Sequence, residues 1–311
     1  MTQTHAAATG MPDVIPFFDE PTNTLTYIVR DPQSEHCALV DSVLDLDYAS
    51  GTINYEGADR VIAYIRENQL TLDWILETHV HADHLSAAPY VKQELGGRIA
   101  IGNHICTVQD TFGKIFDAGP GFRDDGSQFD VLLAEGDAID IGGVTGYAMH
   151  TPGHTPACMS YVIGDAVFVG DTLFMPDYGT ARCDFPGGDA ATLYRSIKRI
   201  LALPPETRIF VCHDYLPNGR ELEFETTVAA ERENNIHVRD GVSEAGFVDM
   251  REKRDATLGM PKLILPSLQV NMRAGHMPPP EADGRFFLKI PLNAFGGPTL
   301  SRLAPDQETG I

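Results

Sequence analysis

The stretch Thr78 to Leu85, THVHADHL, packs three histidines and one aspartate into the six residues 79–84. It follows TLDWILET directly, an apolar run with the length and composition of a buried strand. A strand that feeds straight into clustered imidazoles must end at an edge of the fold where polar partners can reach it. Such partners recur at three later predicted strand ends. His154 follows GYAMHTP, Asp171 ends AVFVGD and His213 ends RIFVCHD. In a layered α/β domain, strand ends of this kind gather along one edge, so these residues can converge. Neutral imidazole and carboxylate without thiolate suit a first-row divalent metal used for catalysis. Gly153 and Gly170 precede His154 and Asp171, and glycine lets the backbone pass close to a crowded site or take positive φ. A lone histidine at a strand end is ordinarily a hydrogen-bonded structural residue, and His150 and His237 read that way.

The periodicities give an alternation of elements. NTLTYIVRD and HCALVDSV read as strands, and ADRVIAYIREN as an amphipathic helix. A second helix is expected from a Ser86 cap to about Leu95, with Pro89 in its first turn and Gly96-Gly97 as its stop. RIAIG is a short strand, and from about Asp130 strands return. VTGYAMHTP is one, and MSYVIGDAVFVGD is a hairpin turning at Gly164-Asp165. GDAATLYRSIKRILAL is a helix capped by Asp189, and TRIFVCHDY a further strand. The order predicts a mixed, layered α/β domain. Beyond His213, ELEFETTVAAERENN reads as a charged helix, and the last fifty residues as an irregular, proline-rich tail. The organisation expected is a catalytic domain over 14–240 and an extension over 241–311 wrapped on it.

Composition narrows the classes of function. The net charge of −21 repels phosphate backbones and disfavours nucleic-acid binding. The five cysteines are scattered and form no CxxC pair, against a disulfide framework or a thiolate zinc site. No segment has the roughly 20 apolar residues of a membrane span. The N-terminal residues have neither a basic start nor an apolar run of signal length. A cytoplasmic location is expected, with no membrane partner.

THVHADH, with GHTP, GDTLF and CHDY downstream, resembles the metallo-β-lactamase fold over about residues 22–215. The resemblance implies an αββα sandwich with a metal edge between its sheets. It implies first-site candidates His79, His81 and His154, second-site candidates Asp83, His84 and His213, and Asp171 able to bridge. Within that superfamily, GDTLFMPDYGTARCDF resembles the "GD…GR-x-DF" element of the persulfide dioxygenases, through Arg182, Asp184 and Phe185. It departs from that element by two extra residues between Asp171 and Arg182, and by Cys183 in place of Thr. PSLQVNMRAG resembles their "P-x-NMR-x-G" element, and the C-terminal GRFFLKIPLNAF resembles a bacterial branch. The proline-rich tail does not suit the helical glutathione-holding domain of glyoxalase II.

This resemblance implies one iron(II) per chain, held by His79, His154 and Asp171 as a 2-His-1-carboxylate triad with open positions. The same ligands also accept zinc. The implied reaction converts glutathione persulfide, O2 and water to sulfite and glutathione. His81, Asp83, His84 and His213 then support the triad or hold a second metal. Arg182 and Arg273 are candidates for the glutathione carboxylates, and Tyr215 for the pocket wall. Cys183 reads as a packing residue. A homodimer or higher oligomer is implied by the same resemblance. Two alternatives stay open: a dinuclear hydrolase of a glutathione thioester, glyoxalase II-like, and a non-catalytic sensing protein on the same fold.

Overall fold

The computed structural model describes residues 8–296. In chain order its elements are β1 Asp13–Asp19, β2 Thr24–Arg30, β3 His36–Val40, β4 Val43–Asp47, β5 Thr52–Asn54, α1 Glu56–Glu67, β6 Thr71–Leu76, β7 Leu85–Ser86, α2 Ala88–Leu95 and β8 Arg98–Gly102. There follow α3 Ile105–Ile115, β9 Val131–Leu133, β10 Ala138–Ile141, β11 Val144–His150, β12 Met159–Ile163, β13 Ala166–Phe168, α4 Ala190–Ile200, β14 Arg208–Phe210, β15 Glu225–Thr227, α5 Val228–Asn234, α6 Glu244–Asp255 and α7 Ile264–Asn271.

Two six-stranded sheets, ordered β1-β2-β3-β6-β8-β9 and β10-β11-β12-β13-β14-β15, pack face to face. The period-2 alternation of the strands decides which side chain enters which layer. In β3, Ala38 and Val40 enter the inter-sheet core, whereas Cys37 and Leu39 point to the outer layer with α1, α2 and α3. In β6, Trp74 and Leu76 go inward and Ile75 outward. On the far side, Leu193, Ile197 and Ile200 of α4 cover the second sheet. The result is the αββα sandwich. A small sheet, β5-β4-β7, borders the first.

Local chemistry places most boundaries. The Asp189 side chain accepts from Thr192 N and starts α4. Gly96, at φ 78°, ends α2. Gly164, at φ 58°, turns the β12–β13 hairpin. Three expectations need correction. Ser86 is not the cap of α2: it lies in β7, its hydroxyl donates to Glu77 Oε1, and the N-cap is Ala87. The run 221–235 is not one helix. Its β-branched Thr226-Thr227 pairs with β14 as an edge strand, and Thr227 then caps α5 by accepting from Ala230 N. The tail is not wholly irregular, because α7 forms within it. Pro266 falls in the first turn of α7, where its missing N–H removes no intrahelical bond. No helix among the described residues is long and apolar enough to cross a membrane.

Candidate metal centre

Each chemistry-bearing residue lies just past the carboxyl end of a strand. His79, His81, Asp83 and His84 follow β6, His154 follows β11, Asp171 follows β13 and His213 follows β14. The two sheets therefore bring both halves of the chain to one edge.

Three side chains converge on that edge. His79 engages Thr78 Oγ1 through Nδ1 at 3.0 Å, which leaves Nε2 facing Asp171 Oδ2 at 3.9 Å. His154 donates its Nδ1 proton to the Arg182 carbonyl at 2.7 Å, with Nε2 3.6 Å from the same carboxylate oxygen. The two rings stand nearly perpendicular, 5.2 Å apart. The glycines are needed here. Gly153, at φ 140°, runs so close to α4 that a Cβ would lie 2.3 Å from Leu193 Cα. Gly170, at φ 51°, would meet Thr78 Oγ1 at 2.5 Å. Donor atoms of His79, His154 and Asp171 lie within 4.8 Å of one another.

A second group adjoins it. His213 Nε2 lies 3.1 Å from both Asp83 Oδ2 and Asp171 Oδ1, close enough for an ion pair but not aligned as a hydrogen bond. His84 donates through Nδ1 to the Leu85 carbonyl at 3.1 Å. His81 Nε2 bonds Asp41 Oδ1 at 3.0 Å and lies 3.5 Å from Glu77 Oε2, leaving Nδ1 toward the site. Asp41 also accepts from Thr78 N and Thr78 Oγ1, at 2.7 and 2.8 Å. It pins the start of the histidine loop. Sequence reasoning missed Asp41 and Glu77. The available signal was a carboxylate at the end of β3, the strand beside β6.

The electrostatics divide the imidazoles. Burial, with His81 nearby, pushes His79 well below its ordinary pKa. Burial and His81 push His84 down to about 4. Burial disfavours charge on His81 and His213 too, but Asp41 lifts the first to about 9, and Asp83 with Asp171 lifts the second to about 10. Against its own burial, the Asp171 carboxyl is held well below the usual range by His213, His79 and His154.

A metal ion fits these residues. His79 Nε2, His81 Nδ1, Asp83 Oδ2, His84 Nε2, Asp171 Oδ1 and His213 Nε2 are buried without a hydrogen-bond partner. An unmet buried polar group costs about 1–3 kcal/mol, and a cluster of them facing one another is the donor set that a divalent cation satisfies.

The centre opens into a cavity of about 690 Å³, reached by Asp83, His154 and Asp171. Its lining brings together the carboxylates Asp19, Asp45, Asp47 and Glu56 and the cations Arg182, Arg254 and Lys262. Tyr215 lines the cavity and stacks on Tyr178 at 4.7 Å and on His213 at 5.7 Å. The Arg182 guanidinium is engaged internally, by Asp184 at 2.6 and 2.7 Å and by the Gly259 carbonyl at 2.6 Å. Arg273 is buried away from this cavity, donates to the Gln269 carbonyl and stands over Phe122. Cys183 is buried, and desolvation beside Asp255 pushes its thiol up to about 12. His150 bonds the Pro156 carbonyl and stacks on His104, and His237 accepts from Thr180 N. Both lie outside the cluster.

A model described as the Metallo-beta-lactamase superfamily matches residues 19–213. The chain is 58% identical to a probable metallo-hydrolase of Burkholderia pseudomallei (strain 1710b), over 89% of this chain and 98% of that protein. It is 30% identical to the mitochondrial persulfide dioxygenase ETHE1 of Mus musculus, over 88% of this chain and 93% of that one. Among solved structures, ETHE1 from Myxococcus xanthus superposes with a TM-score of 0.67 at 30% identity, covering 85% of this chain and 100% of that chain. Some relatives are longer. The chain spans 66 to 67% of beta-lactamase hydrolase-like proteins from Xylella fastidiosa and Agrobacterium fabrum, to which it is 47 to 50% identical.

Proposed function

The chain belongs to the metallo-beta-lactamase superfamily, and from that membership we propose that it is a metal-dependent persulfide dioxygenase. Its substrates would be glutathione persulfide, O2 and water, and its products sulfite and glutathione. The observation that carries this reading is the triad itself. His79 and His154 have their outer nitrogens anchored and their inner nitrogens turned to one Asp171 oxygen. Two imidazoles and one carboxylate form the facial set of non-haem iron oxygenases. An iron(II) ion held there would supply open coordination positions, while the four electrons that reduce O2 would come from the outer sulfur of the persulfide as it is oxidised to sulfite.

The chain's own residues do the rest. The cavity binds the thiol carrier over the triad. Its volume suits a tripeptide adduct, and a lining with both carboxylates and cations matches a carrier with both ammonium and carboxylate groups. Arg254 and Lys262, rather than Arg182, offer the carboxylates cationic partners, because Arg182 is already paired with Asp184. Tyr215, 38% exposed and stacked on His213, lines the cavity with a phenol hydroxyl that can donate a hydrogen bond to a ligand. Asp83 and His213 flank the triad as a charged pair able to hold a proton at Nε2.

One observation favours a second reading. His81, Asp83 and His84 form a further donor group, His213 adjoins it through Asp83, and the relative at 58% identity is named a probable metallo-hydrolase. With two metals the same edge would activate water against a glutathione thioester. Protein prepared without added zinc separates the two. The dioxygenase reading expects about one iron per chain, and O2 uptake with sulfite release from glutathione persulfide. Two zinc ions per chain, no O2 uptake and rapid hydrolysis of S-lactoylglutathione would overturn it.

A further inference from the structure

The family match ends at residue 213, yet helices beyond it hydrogen-bond to the loops that carry the donor groups. Asn271 of α7 and the Arg251–Asp255 pair of α6, all buried, make these bonds.

Asn271, at the end of α7, is 4% exposed. Its amide nitrogen donates to the His81 carbonyl at 2.9 Å and to the His84 carbonyl at 2.8 Å, and its oxygen accepts from Ser86 N at 2.8 Å. All three bonds fall on one turn, the turn that carries His81, Asp83 and His84. A planar amide with three partners in one loop fixes the curvature of that loop, and so fixes where its imidazoles point.

Asp255, at the end of α6, acts on the opposite loop. Its Oδ2 accepts from Cys183 N at 3.0 Å, and its Oδ1 is held by Arg251 at 2.6 Å. Arg251, 1% exposed, donates in turn to the Thr180 carbonyl at 3.0 Å. Between those two anchors lies Arg182, whose carbonyl takes the His154 Nδ1 proton at 2.7 Å. The pair therefore sets the position of the acceptor that selects the tautomer and ring angle of His154.

We propose that Asn271 and the Arg251–Asp255 pair are positioning residues for the metal centre, each fixing one donor-bearing loop from outside the matched domain. This rests on the metal reading of the site given above, though not on which reaction the metal serves. Partners that orient a ligating histidine are typically worth 10–100-fold in metal affinity.

The test uses the full chain stripped of metal and titrated with Co(II), whose visible absorption reports ligand geometry. Affinity is measured by chelator competition and thermal stability by calorimetry. Asn271→Asp replaces the two donated bonds with a carboxylate facing two carbonyls. Its expected result is a 10–100-fold weaker Kd and an altered Co(II) spectrum. Leu268→Ala, on the same helix and 3% exposed, is the structural control. It should lower the melting temperature and leave Kd and spectrum as in the wild type. Because Asp255→Asn leaves Arg251 buried without its partner, the double variant Arg251→Met/Asp255→Leu tests the second loop while keeping the volume filled. Its Kd should also weaken at least tenfold. Wild-type affinity and spectrum in Asn271→Asp and in the double variant overturn the proposal, as does an equal loss of affinity in Leu268→Ala. A wild-type chain that binds no Co(II), or a His79→Ala chain that binds it normally, overturns the metal centre as well.

Discussion

The donor loops and the C-terminal helices treat buried polar atoms in opposite ways. Around the cavity floor, the inner atoms of His79, His81, Asp83, His84, Asp171 and His213 are buried without a hydrogen-bond partner. In the last helices, the polar atoms of Arg251, Asp255 and Asn271 are equally buried but bonded to backbone partners. Six unbonded atoms gather at one centre, while these three helix side chains tie loops together; Ser42 Oγ, Glu231 Oε1 and Ser267 Oγ are also buried and unbonded, outside the metal cluster. Stability and function are thereby placed in different regions, and substitutions in the two should behave differently.

The sharpest contrast is expected at the ligands. Asp171→Ala and His79→Ala should each weaken metal binding more than the roughly 100-fold upper range for supporting residues. Metal-free His79→Ala should nevertheless melt no lower than the wild type, because an unmet buried nitrogen is removed with the ring, whereas metal-free Asp171→Ala should melt lower because buried His213 loses one of its two ion-pair partners. Chelator competition and calorimetry on the metal-free chains measure both. A melting point that drops as far as that of a core truncation would break the distinction. The converse is Phe247→Ala in α6, where a fully buried ring packs against Tyr194 at 5.6 Å. That change should cost about 3–5 kcal/mol in denaturant unfolding, with the affinity of the folded fraction for metal unchanged.

A smaller effect should come from pH. Burial pushes the Glu231 carboxyl up to about 8, with Asn235 bonding one oxygen and the other unpaired. The folded state then keeps a proton that the unfolded chain has released above its ordinary carboxyl pKa. This group's contribution to stability is therefore full at pH 4, falls as pH rises toward 8, and is then lost. Glu231→Gln should remove that decline. Its melting temperature relative to wild type should rise by several degrees between pH 5 and pH 8, and a constant difference would refute the assignment. The smallest change belongs to the exposed pair Lys114–Asp110 of α3, whose side chains are 74% and 51% exposed. Lys114→Ala should shift unfolding by no more than about 0.5 kcal/mol, in keeping with a surface far from either region.

Legibility in the sequence followed a similar division. The αββα layering was readable because the buried strands are apolar runs and α1 and α4 carry a helical stripe. The convergence of His79, His154, Asp171 and His213 was readable because each ends a strand. The strands β4, β5 and β7, with two to five residues each, are too short for any periodicity to emerge. The serine and threonine chemistry at Ser86 and Thr227 was misassigned because a distant partner decided it. Ser86 gives its backbone N–H to Asn271, and Thr226-Thr227 takes up the free edge of β14. Arg182 shows the same limit. Its motif pointed to substrate, but its guanidinium faces Asp184 while its carbonyl faces His154. A side chain's type announces what it can bond, and only the fold says which partner it meets.

The hold of Asn271 on the histidine turn has a consequence in time. The two are separated by 190 residues, measured from the His81 carbonyl. A ribosome adding about 5–20 residues per second finishes one roughly 10–40 s after the other. Throughout that interval the histidine run exists without its tether and, for much of it, without His154, Asp171 or His213. With Asn271 positioning the turn as proposed, the metal-binding geometry is completed only once residue 271 has been made, long after the histidine run itself.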